Sequence, residues 1–247
     1  MGGTVDALIF TRDRPAQFEL LLRSIRAHAA DVYGSITVQW KATSEEYIRG
    51  YAVALMHHGQ ALGLNWSGGP HEDERFESDV RRWLANPPGD GCELVSFLVD
   101  DDVFYRDAGG PPAWEPWSYR GGDYWYPFSV DGNVYRRGDV LRLLQGVAFK
   151  DPTELEAFGH ELRHRLPFRS IPAPNRSPSL VGIPHNVVSP SSGMRSMHPD
   201  GDRARRQLNT RFLAGDRLEL PPDGDYGAHE NLELEWLEAA GSVRGGT

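Results

Sequence analysis

The stretch from Glu93 to Val99 most constrains the fold, because it leads without a break into Asp100, Asp101 and Asp102. An apolar run of this length, rich in β-branched residues, is typical of a strand buried on both faces of an α/β sheet. Three carboxylates cannot follow such a strand into the core, so we expect them to emerge at the edge of the sheet. Ligands of open α/β sheets bind at this edge, beyond the carboxyl ends of the strands.

The spacing of these carboxylates suggests a metal site. Asp100 and Asp102 are two residues apart, and such side chains point the same way in an extended chain. A pair of this kind suits a hard divalent cation that carries phosphates, since Mg²⁺ binds only one or two protein carboxylates and leaves its other positions to water and substrate oxygens. A solvated acidic turn is the alternative interpretation of an isolated aspartate triplet.

The amino-terminal part of the chain has the pattern of a βαβ unit. A buried strand is predicted from Thr4 to Phe10, and a helix with Pro15 at its first position follows it. A second strand is predicted at 35–40, and the capping-box pattern of Thr43 to Glu46 begins a second helix. The segment 61–70 is expected to be a loop. The alternation predicts an α/β fold with a Rossmann-like, mostly parallel sheet flanked by helices.

Beyond the aspartates the pattern becomes less regular. The aromatic segment from Trp114 to Phe128, punctuated by Gly and Pro, is interpreted either as core packing or as a platform for a ligand. Asp151 and Pro152 predict a helix with a capping aspartate, extending to about Arg165 and carrying Glu154 and Glu156 near its start. Further helices are predicted at 72–84, 138–145 and 203–213, and further strands at 130–137, 179–188 and 232–236.

The composition limits the class of protein. With 247 residues, 39% hydrophobic and 25% charged, the chain has the composition of an ordinary globular domain with ample length for a core. No apolar run approaches the roughly 18 residues of a membrane span. The amino terminus lacks a signal-peptide pattern and Cys92 is the only cysteine, which favours a reducing cytoplasm. A net charge of -9 gives no support for a nucleic-acid partner.

The ordered motifs resemble those of GT-A glycosyltransferases, in particular the large family-two-like group. The segment Thr11-Arg12-Asp13-Arg14-Pro15 is similar to that group's Thr-x-Asn-Arg-Pro opening, and Asp100-x-Asp102 is similar to its DxD motif. The helix after the opening carries Leu22-Arg23-Ser24-Ile25, similar to the group's Leu-x-Ser-Ile. The resemblance covers about residues 4 to 165. The group's carboxy-terminal Gln-x-x-Arg-Trp is not found, which argues against processive polymer synthesis.

This resemblance implies a domain organisation. A single GT-A domain is expected at 1–240, with a nucleotide-sugar-binding half at about 1–105. An irregular acceptor-side half is expected at about 106–240, and a flexible tail at 241–247.

The resemblance also implies a set of ligands and site residues. It implies a UDP- or GDP-sugar donor, a hydroxyl acceptor of unknown identity and a Mn²⁺ or Mg²⁺ ion. Asp102 is expected to bind the metal, with Asp100 towards the ribose and Asp101 also at the nucleotide. The remaining nucleotide-sugar-binding residues are expected to be Thr11, Arg12, Asp13 and Lys41. His185 could supply a further metal ligand, since imidazole suits Mn²⁺ better than Mg²⁺, although a structural histidine is the alternative.

The group has an acidic pair that holds its catalytic base, and here Leu155-Glu156 takes its place. An inverting transferase requires a carboxylate that accepts the proton of the acceptor hydroxyl, and Glu156 is expected in this role. The alternative for Glu156 is a surface acid favoured by the helix dipole.

Two other functions remain compatible with the sequence. A sugar-phosphate nucleotidyltransferase would share the sheet and the metal, but it usually has a glycine-rich phosphate loop after the first strand, and no glycine lies between Thr4 and Arg26. A glycan-binding module without catalysis would use the aromatic segment from Trp114 to Phe128. Turnover of a nucleotide-sugar donor separates these three functions.

Overall fold

The computed structural model describes residues 5–68, 75–88, 92–108, 128–165, 179–183, 201–226, 232 and 235–239. The strands are β1 (Val5–Arg12), β2 (Tyr33–Lys41), β3 (Leu64–Gly68), β4 (Leu94–Val99), β5 (Asp102–Phe104), β6 (Val134–Arg136), β7 (Leu180–Gly182), β8 (Arg217–Leu218) and β9 (Trp236–Leu237). The helices are α1 (Pro15–His28), α2 (Glu45–Leu62), α3 (Phe76–Ala85), α4 (Arg137–Leu143), α5 (Pro152–Glu161) and α6 (Gly201–Leu213), and a short 3₁₀ turn spans Arg163–Arg165.

The central sheet has five strands in the order β3-β2-β1-β4-β6. The first four are mutually parallel, and β6 pairs with β4 in the antiparallel direction. Two small antiparallel pairs, β5 with β7 and β8 with β9, lie outside this sheet. The prediction of an α/β fold with a mostly parallel sheet flanked by helices is therefore confirmed.

The two faces of the sheet pack against different helices. Alternate residues of β1 separate cleanly, since Ala7 and Ile9 belong to the core cluster built with α1 and α2, whereas Leu8 and Phe10 belong to the cluster built with α3, α4 and α5. This alternation follows from the two-residue period of a strand. Burial on both faces explains why the central strands are nearly continuous apolar runs.

Local sequence signals fix the helix starts. Pro15 and Pro152 occupy the first turns of α1 and α5, where the missing amide proton costs nothing. The Ser44 side chain accepts a hydrogen bond from the amide of Tyr47, and the Asp151 side chain accepts one from the amide of Glu154. Both caps satisfy amides that have no partner within their own helix.

The structure corrects two boundaries of the sequence analysis. The expected loop at 61–70 is wrong, because 64–68 form the edge strand β3, paired with β2 from Ile36↔Leu64 to Trp40↔Gly68. Asn, Ser and Gly make this segment a poor strand by propensity, so tertiary pairing decides its conformation. The first strand is also longer than expected, because Thr11 and Arg12 continue its pairing with β2.

Helix α6 brings the carboxy-terminal part of the chain onto the first βαβ unit. The Asn209 side chain donates a hydrogen bond to the carbonyl of Glu46 at the start of α2. Gly50 is required at this crossing, because a Cβ atom there would lie 2.4 Å from Pro15 and 2.5 Å from Asn209. Among the helices of the described ranges, none combines the length and the hydropathy that a membrane span requires.

Candidate functional site

The carboxyl ends of β1, β2 and β4 lie side by side, and polar residues follow each of them. The register pairs Arg12 with Lys41 and Phe10 with Val99, so Asp100 follows β4 beside the end of β1. Arg12 and Lys41 are both half-buried at these strand ends. The structure thus brings the predicted nucleotide-binding residues of three segments to one edge of the sheet. Open α/β sheets bind their ligands at this kind of edge.

Asp100 is held by three donors from the end of β1 and the start of α1. Its Oδ2 accepts a hydrogen bond from Thr11 Oγ1 at 2.8 Å and one from the amide of Arg12 at 3.2 Å, and its Oδ1 accepts from Arg14 Nη1 at 2.7 Å. Only 3% of Asp100 is exposed. Burial raises the pKa of Asp100 to about 6, although the Arg14 charge opposes the rise. Asp100 therefore joins β4 to β1 through its side chain.

Tyr51 of α2 completes this hydrogen-bond network, and its role was not predicted from the sequence. Its hydroxyl lies 2.7 Å from Thr11 Oγ1 and accepts a hydrogen bond from the amide of Arg14 at 3.1 Å. Because Thr11 has one proton and donates it to Asp100, the Tyr51 hydroxyl donates to Thr11. The network thus runs in one direction from the Arg14 amide through Tyr51 and Thr11 to the Asp100 carboxylate.

Arg14 lies between two of the three aspartates. Its Nη1 is 2.7 Å from Asp100 Oδ1 and 3.2 Å from Asp101 Oδ2. Burial lowers the pKa of Arg14, but the charges of Asp100 and Asp101 outweigh it, so the pKa lies above its ordinary value. The guanidinium is thus a permanent cation beneath the turn. The side chain of Asp101 keeps 18% of its surface exposed, against 4% for Asp100.

Asp102 points away from the edge of the sheet. It is fully buried, and its Oδ2 accepts a hydrogen bond from the amide of Val99 at 2.9 Å. Its Oδ1 has no hydrogen-bond partner among the described residues. Burial, followed by the charge of Asp131, raises the pKa of Asp102 well above its ordinary value. The expectation that Asp100 and Asp102 point the same way is wrong, because residues 100–101 form a turn rather than an extended strand.

Asp13 stands where the Thr-x-Asn-Arg-Pro opening has Asn, and its backbone has a left-handed conformation, with φ at 55°. Asn and Asp tolerate this conformation better than other residues with a side chain. Its Oδ1 accepts from the amide of Thr43 at 2.6 Å and its Oδ2 accepts from Thr43 Oγ1 at 2.9 Å. Arg205 of α6 lies 3.8 Å from the same carboxylate. Asp13 therefore ties the loop after β1 to the loop after β2 and to α6.

Glu156 lies against the segment that precedes β6. Its Oε1 accepts a hydrogen bond from the amide of Val130 at 3.4 Å. Burial, followed by the charge of Asp131, raises the pKa of Glu156 to about 7. The segment is itself fixed to β4, since the amide of Gly132 donates to the carbonyl of Phe97 at 2.8 Å. A carboxylate with this pKa exists in both protonation states near neutral pH, which suits an acid or base catalyst.

Asp151, the N-cap residue of the same helix, is a buried carboxylate. Its Oδ1 caps α5 by accepting from the amide of Glu154 at 2.8 Å, whereas its Oδ2 is buried and has no hydrogen-bond partner within the described part of the chain. The Glu154 carboxylate instead faces Lys150, with 2.7 Å between Oε1 and Nζ. Asp151 is thus the strongest rival to Glu156 for a catalytic role among the described carboxylates of this helix.

Two parts of the sequence-based site lie outside the described residues. They are His185 and the aromatic segment that begins at Trp114, of which only the last residue, Phe128, is described. Phe128 is fully buried and packs against Phe97 and Tyr135 with ring centroids 5.8 and 4.9 Å apart. For this residue the core-packing interpretation is the right one.

One group of three candidate metal ligands converges within the described ranges, and it was not predicted. Glu19, His57 and His58 offer ligand atoms that lie within 4.8 Å of one another. Two arginines already neutralise Glu19, since Arg23 Nε lies 3.1 Å from its carboxylate and Arg217 Nε lies 3.8 Å from it. Arg217 Nη2 also donates to His57 Nδ1 at 3.3 Å. A divalent cation would meet both guanidinium charges, so we assign this cluster a structural role.

The comparisons with known proteins find no similar sequence but do find distant structural similarity. The sequence matches no protein-family model, and no curated protein sequence matches it. Among solved structures, the chain is similar to the crystal structure of S. aureus TarS, with a TM-score of 0.46 and 10% sequence identity. The alignment covers 86% of this chain and 40% of the TarS chain.

Proposed function

We propose that this chain is a GT-A type glycosyltransferase that transfers a sugar from a nucleotide-diphosphate-sugar donor to a hydroxyl acceptor, with inversion and with a divalent cation. The observation that carries the proposal is the edge where β1, β2 and β4 end. There the Asp100–Asp101 turn is joined to Thr11, Arg12 and Arg14 by hydrogen bonds between residues far apart in sequence. Acidic groups and cationic side chains at such an edge suit a metal-bound diphosphate.

The residues at this edge have complementary roles in the proposal. Arg12 and Lys41, paired at the ends of β1 and β2, supply positive charge for the donor phosphates. The Asp13 carboxylate fixes the loop after β2 through Thr43, and so shapes the nucleotide-binding side of the edge. Asp100 contributes chiefly by positioning, because its oxygens already accept three hydrogen bonds from protein donors.

We propose Asp101, rather than Asp102, as the carboxylate that holds Mn²⁺ or Mg²⁺. The donor set fits such a cation, since Asp101 offers a hard oxygen with part of its surface exposed, and these ions require few protein carboxylates. The fully buried Asp102 carboxylate has no such access. A cation bound by Asp101 would neutralise the negative charge that develops on the departing diphosphate.

Glu156 is the proposed base that accepts the proton of the acceptor hydroxyl. Its support is chemical, since partial burial beside Asp131 raises the pKa of Glu156 to about 7 and so prepares it to gain a proton near neutral pH. His185 remains a proposed further ligand of the metal. The proposed donor is a UDP-sugar or a GDP-sugar, and the proposed acceptor carries a hydroxyl group.

Donor turnover tests the function directly. The full chain is incubated with UDP- and GDP-sugars in the presence of Mn²⁺ or Mg²⁺, and release of the nucleoside diphosphate is measured with and without a panel of hydroxyl acceptors. We expect the nucleoside diphosphate to be released from the UDP-sugar or from the GDP-sugar but not from both. EDTA should stop this release. Pyrophosphate release from a nucleoside triphosphate and a sugar phosphate would instead identify a nucleotidyltransferase. Glycan binding with no turnover of any donor would identify a binding module.

A further inference from the structure

The Arg14 guanidinium has a position that the sequence motif does not reveal. One nitrogen, Nη1, contacts both Asp100 and Asp101, at 2.7 and 3.2 Å. The side chain of Arg14 is 6% exposed, so this cation lies beneath the turn and not on its open side. A buried ion pair of this kind is costly to form unless its geometry and additional hydrogen bonds are favourable. The stability of the fold alone is therefore a weak explanation for the buried position of Arg14.

Asp100 and Asp101 differ in how many of their carboxylate oxygens already have a partner. Both oxygens of Asp100 accept hydrogen bonds from Thr11, Arg12 and Arg14. Asp101 uses Oδ2 towards Arg14, while its Oδ1 contacts no cationic group among the described residues. The turn is also fixed from below, because the carbonyl of Asp101 accepts a hydrogen bond from the amide of Ile183 at 2.8 Å. Asp101 thus retains one carboxylate oxygen for a ligand.

We propose that Arg14 is the positioning residue of the cation site, and that it sets the affinity of the site by holding Asp101 through Oδ2 so that Oδ1 remains for the metal. The proposal rests on the proposed function, in which Asp101 binds the cation. Groups that orient a metal-binding carboxylate contribute to affinity without touching the metal, and their loss typically weakens binding about 10- to 100-fold. Arg14 also separates two carboxylates that would otherwise repel each other at close range.

The test measures Mn²⁺ binding to the full chain by electron paramagnetic resonance, in which free Mn²⁺ is counted directly and no donor turnover is needed. We expect Arg14→Met to weaken Mn²⁺ binding about 10- to 100-fold. Arg14→Lys should lose less, because an ammonium retains the charge but lacks the planar fork of the guanidinium. This second variant keeps the test decisive if Arg14→Met does not fold.

Arg23→Met is the matched control. Arg23 lies on α1, the helix that Arg14 precedes, and its Nε lies 3.1 Å from the buried Glu19 carboxylate, so its removal also takes one arginine partner from a buried acid. Both methionine variants should lower the temperature of unfolding, but Arg23→Met should leave Mn²⁺ affinity within about twofold, because surface and remote charges act weakly through water.

The outcomes separate this inference from the proposed function. Equal or tighter Mn²⁺ binding by folded Arg14→Met or Arg14→Lys would make Arg14 a competitor of the metal or a purely structural residue, and would overturn the inference alone. Weakening by Arg23→Met as large as that by Arg14→Met would also overturn it, since the effect would then be general. Absence of Mn²⁺ binding by the unmodified chain would overturn the inference together with the metal role of the proposed function.

Discussion

The backbone amide of Val99 donates a hydrogen bond to Asp102 Oδ2 at 2.9 Å, which folds the Asp102 carboxylate back beneath the last residue of β4. The turn therefore separates two neighbouring carboxylates by environment. Asp101 retains exposed surface beside Arg14, whereas Asp102 is fully buried and no described residue forms a hydrogen bond with its Oδ1. Sequence adjacency alone could not assign these different environments.

This separation predicts opposite outcomes for two isosteric substitutions. Asp101→Asn should weaken the binding of Mn²⁺ with UDP or GDP by about tenfold or more, because a charged ligand is lost. Asp102→Asn should leave the affinity within about threefold, because its side chain lies beneath the turn and its amide oxygen can still accept from Val99. Calorimetric titration of both variants measures the difference. Loss of binding in Asp102→Asn with normal binding in Asp101→Asn would return the metal to Asp102.

Much of the fold could be predicted because its signals are local. Burial on both faces makes β1 and β4 apolar runs, and the first-turn prolines and side-chain caps mark where α1, α2 and α5 begin. The strand β3 has no comparable local signal, since Leu64-Asn65-Trp66-Ser67-Gly68 is a poor strand by propensity. Its conformation depends on the parallel pairing with β2, which is a tertiary property.

The candidate site could be predicted as a set of segments but not as a geometry. Chain order brought Thr11, Arg12 and Asp100 to one edge, and the structure agrees. The contact between Arg14 and Asp100 joins residues 86 positions apart, and the hydrogen bond from Arg14 to Tyr51 joins residues 37 positions apart. No periodic pattern in the sequence predicts contacts between residues this far apart. The left-handed backbone of Asp13 has a clearer signal in the sequence, because Asp13 stands where the Thr-x-Asn-Arg-Pro motif has Asn.

Asp13 provides a prediction about stability. Asp13→Ala should lower the free energy of unfolding by about 2–4 kcal/mol, because it removes two hydrogen bonds to Thr43 and places a less tolerant residue at φ 55°. Asp13→Asn should lose less, since Asn tolerates this backbone conformation and retains an acceptor for the Thr43 amide. Urea denaturation compares the two variants. Equal losses would show that the carboxylate charge, facing Arg205, matters more than the backbone conformation.

Two glycine substitutions test how tightly α5 is held. A Cβ atom on Gly159 would lie 2.2 Å from the buried Phe128 ring, so Gly159→Ala should destabilise the protein by about 1–3 kcal/mol despite the better helix propensity of Ala. At Gly138 in α4 the added Cβ meets no heavy atom of the described residues within 4 Å beyond its own neighbours and helix backbone, and Gly138→Ala should be neutral or stabilising by up to about 1 kcal/mol. Urea denaturation measures both. A stabilised Gly159→Ala variant would show that Phe128 moves freely.

The pKa of Glu156 predicts the pH dependence of turnover. A general base must be ionised, and burial beside Asp131 raises the pKa of Glu156 to about 7. Turnover at saturating donor and acceptor should therefore rise with pH through about 7 and then level off. Glu156→Gln should remove this rise from its residual activity. A profile that levels off near pH 5 in the unmodified chain would exclude Glu156 as the titrating base.

The raised pKa of Glu156 also predicts how the stability of the fold changes with pH. The folded chain holds the Glu156 proton more tightly than the unfolded chain, so the ionised carboxylate destabilises the fold as pH rises from about 4.5 to about 7. The stability of Glu156→Gln relative to that of the unmodified chain should therefore be greater at pH 8 than at pH 5. Thermal unfolding at both pH values measures this gain. A stability difference that is independent of pH would show that Glu156 titrates normally.

Replacement of Glu156 itself separates catalysis from donor binding. Removal of a general base typically costs 10² to 10⁴ in rate, and we expect Glu156→Gln to lose turnover in this range. Donor affinity should hardly change, because the proposed donor site lies at the ends of β1, β2 and β4 and not on α5. Initial rates with saturating donor, together with calorimetric titration of the nucleoside diphosphate, measure the two quantities.

Asp151→Asn and Glu154→Gln are the matched controls for this prediction, because both acids lie at the start of the same helix. Asn caps a helix as well as Asp does, so Asp151→Asn should fold normally although the buried Oδ2 is replaced. Each control should lose less than about tenfold in turnover. A larger loss in Asp151→Asn than in Glu156→Gln would assign the base to Asp151. Normal turnover in Glu156→Gln, or a product that retains the anomeric configuration of the donor, would instead contradict an inverting transfer with Glu156 as its base, since a retaining enzyme requires no base in this position.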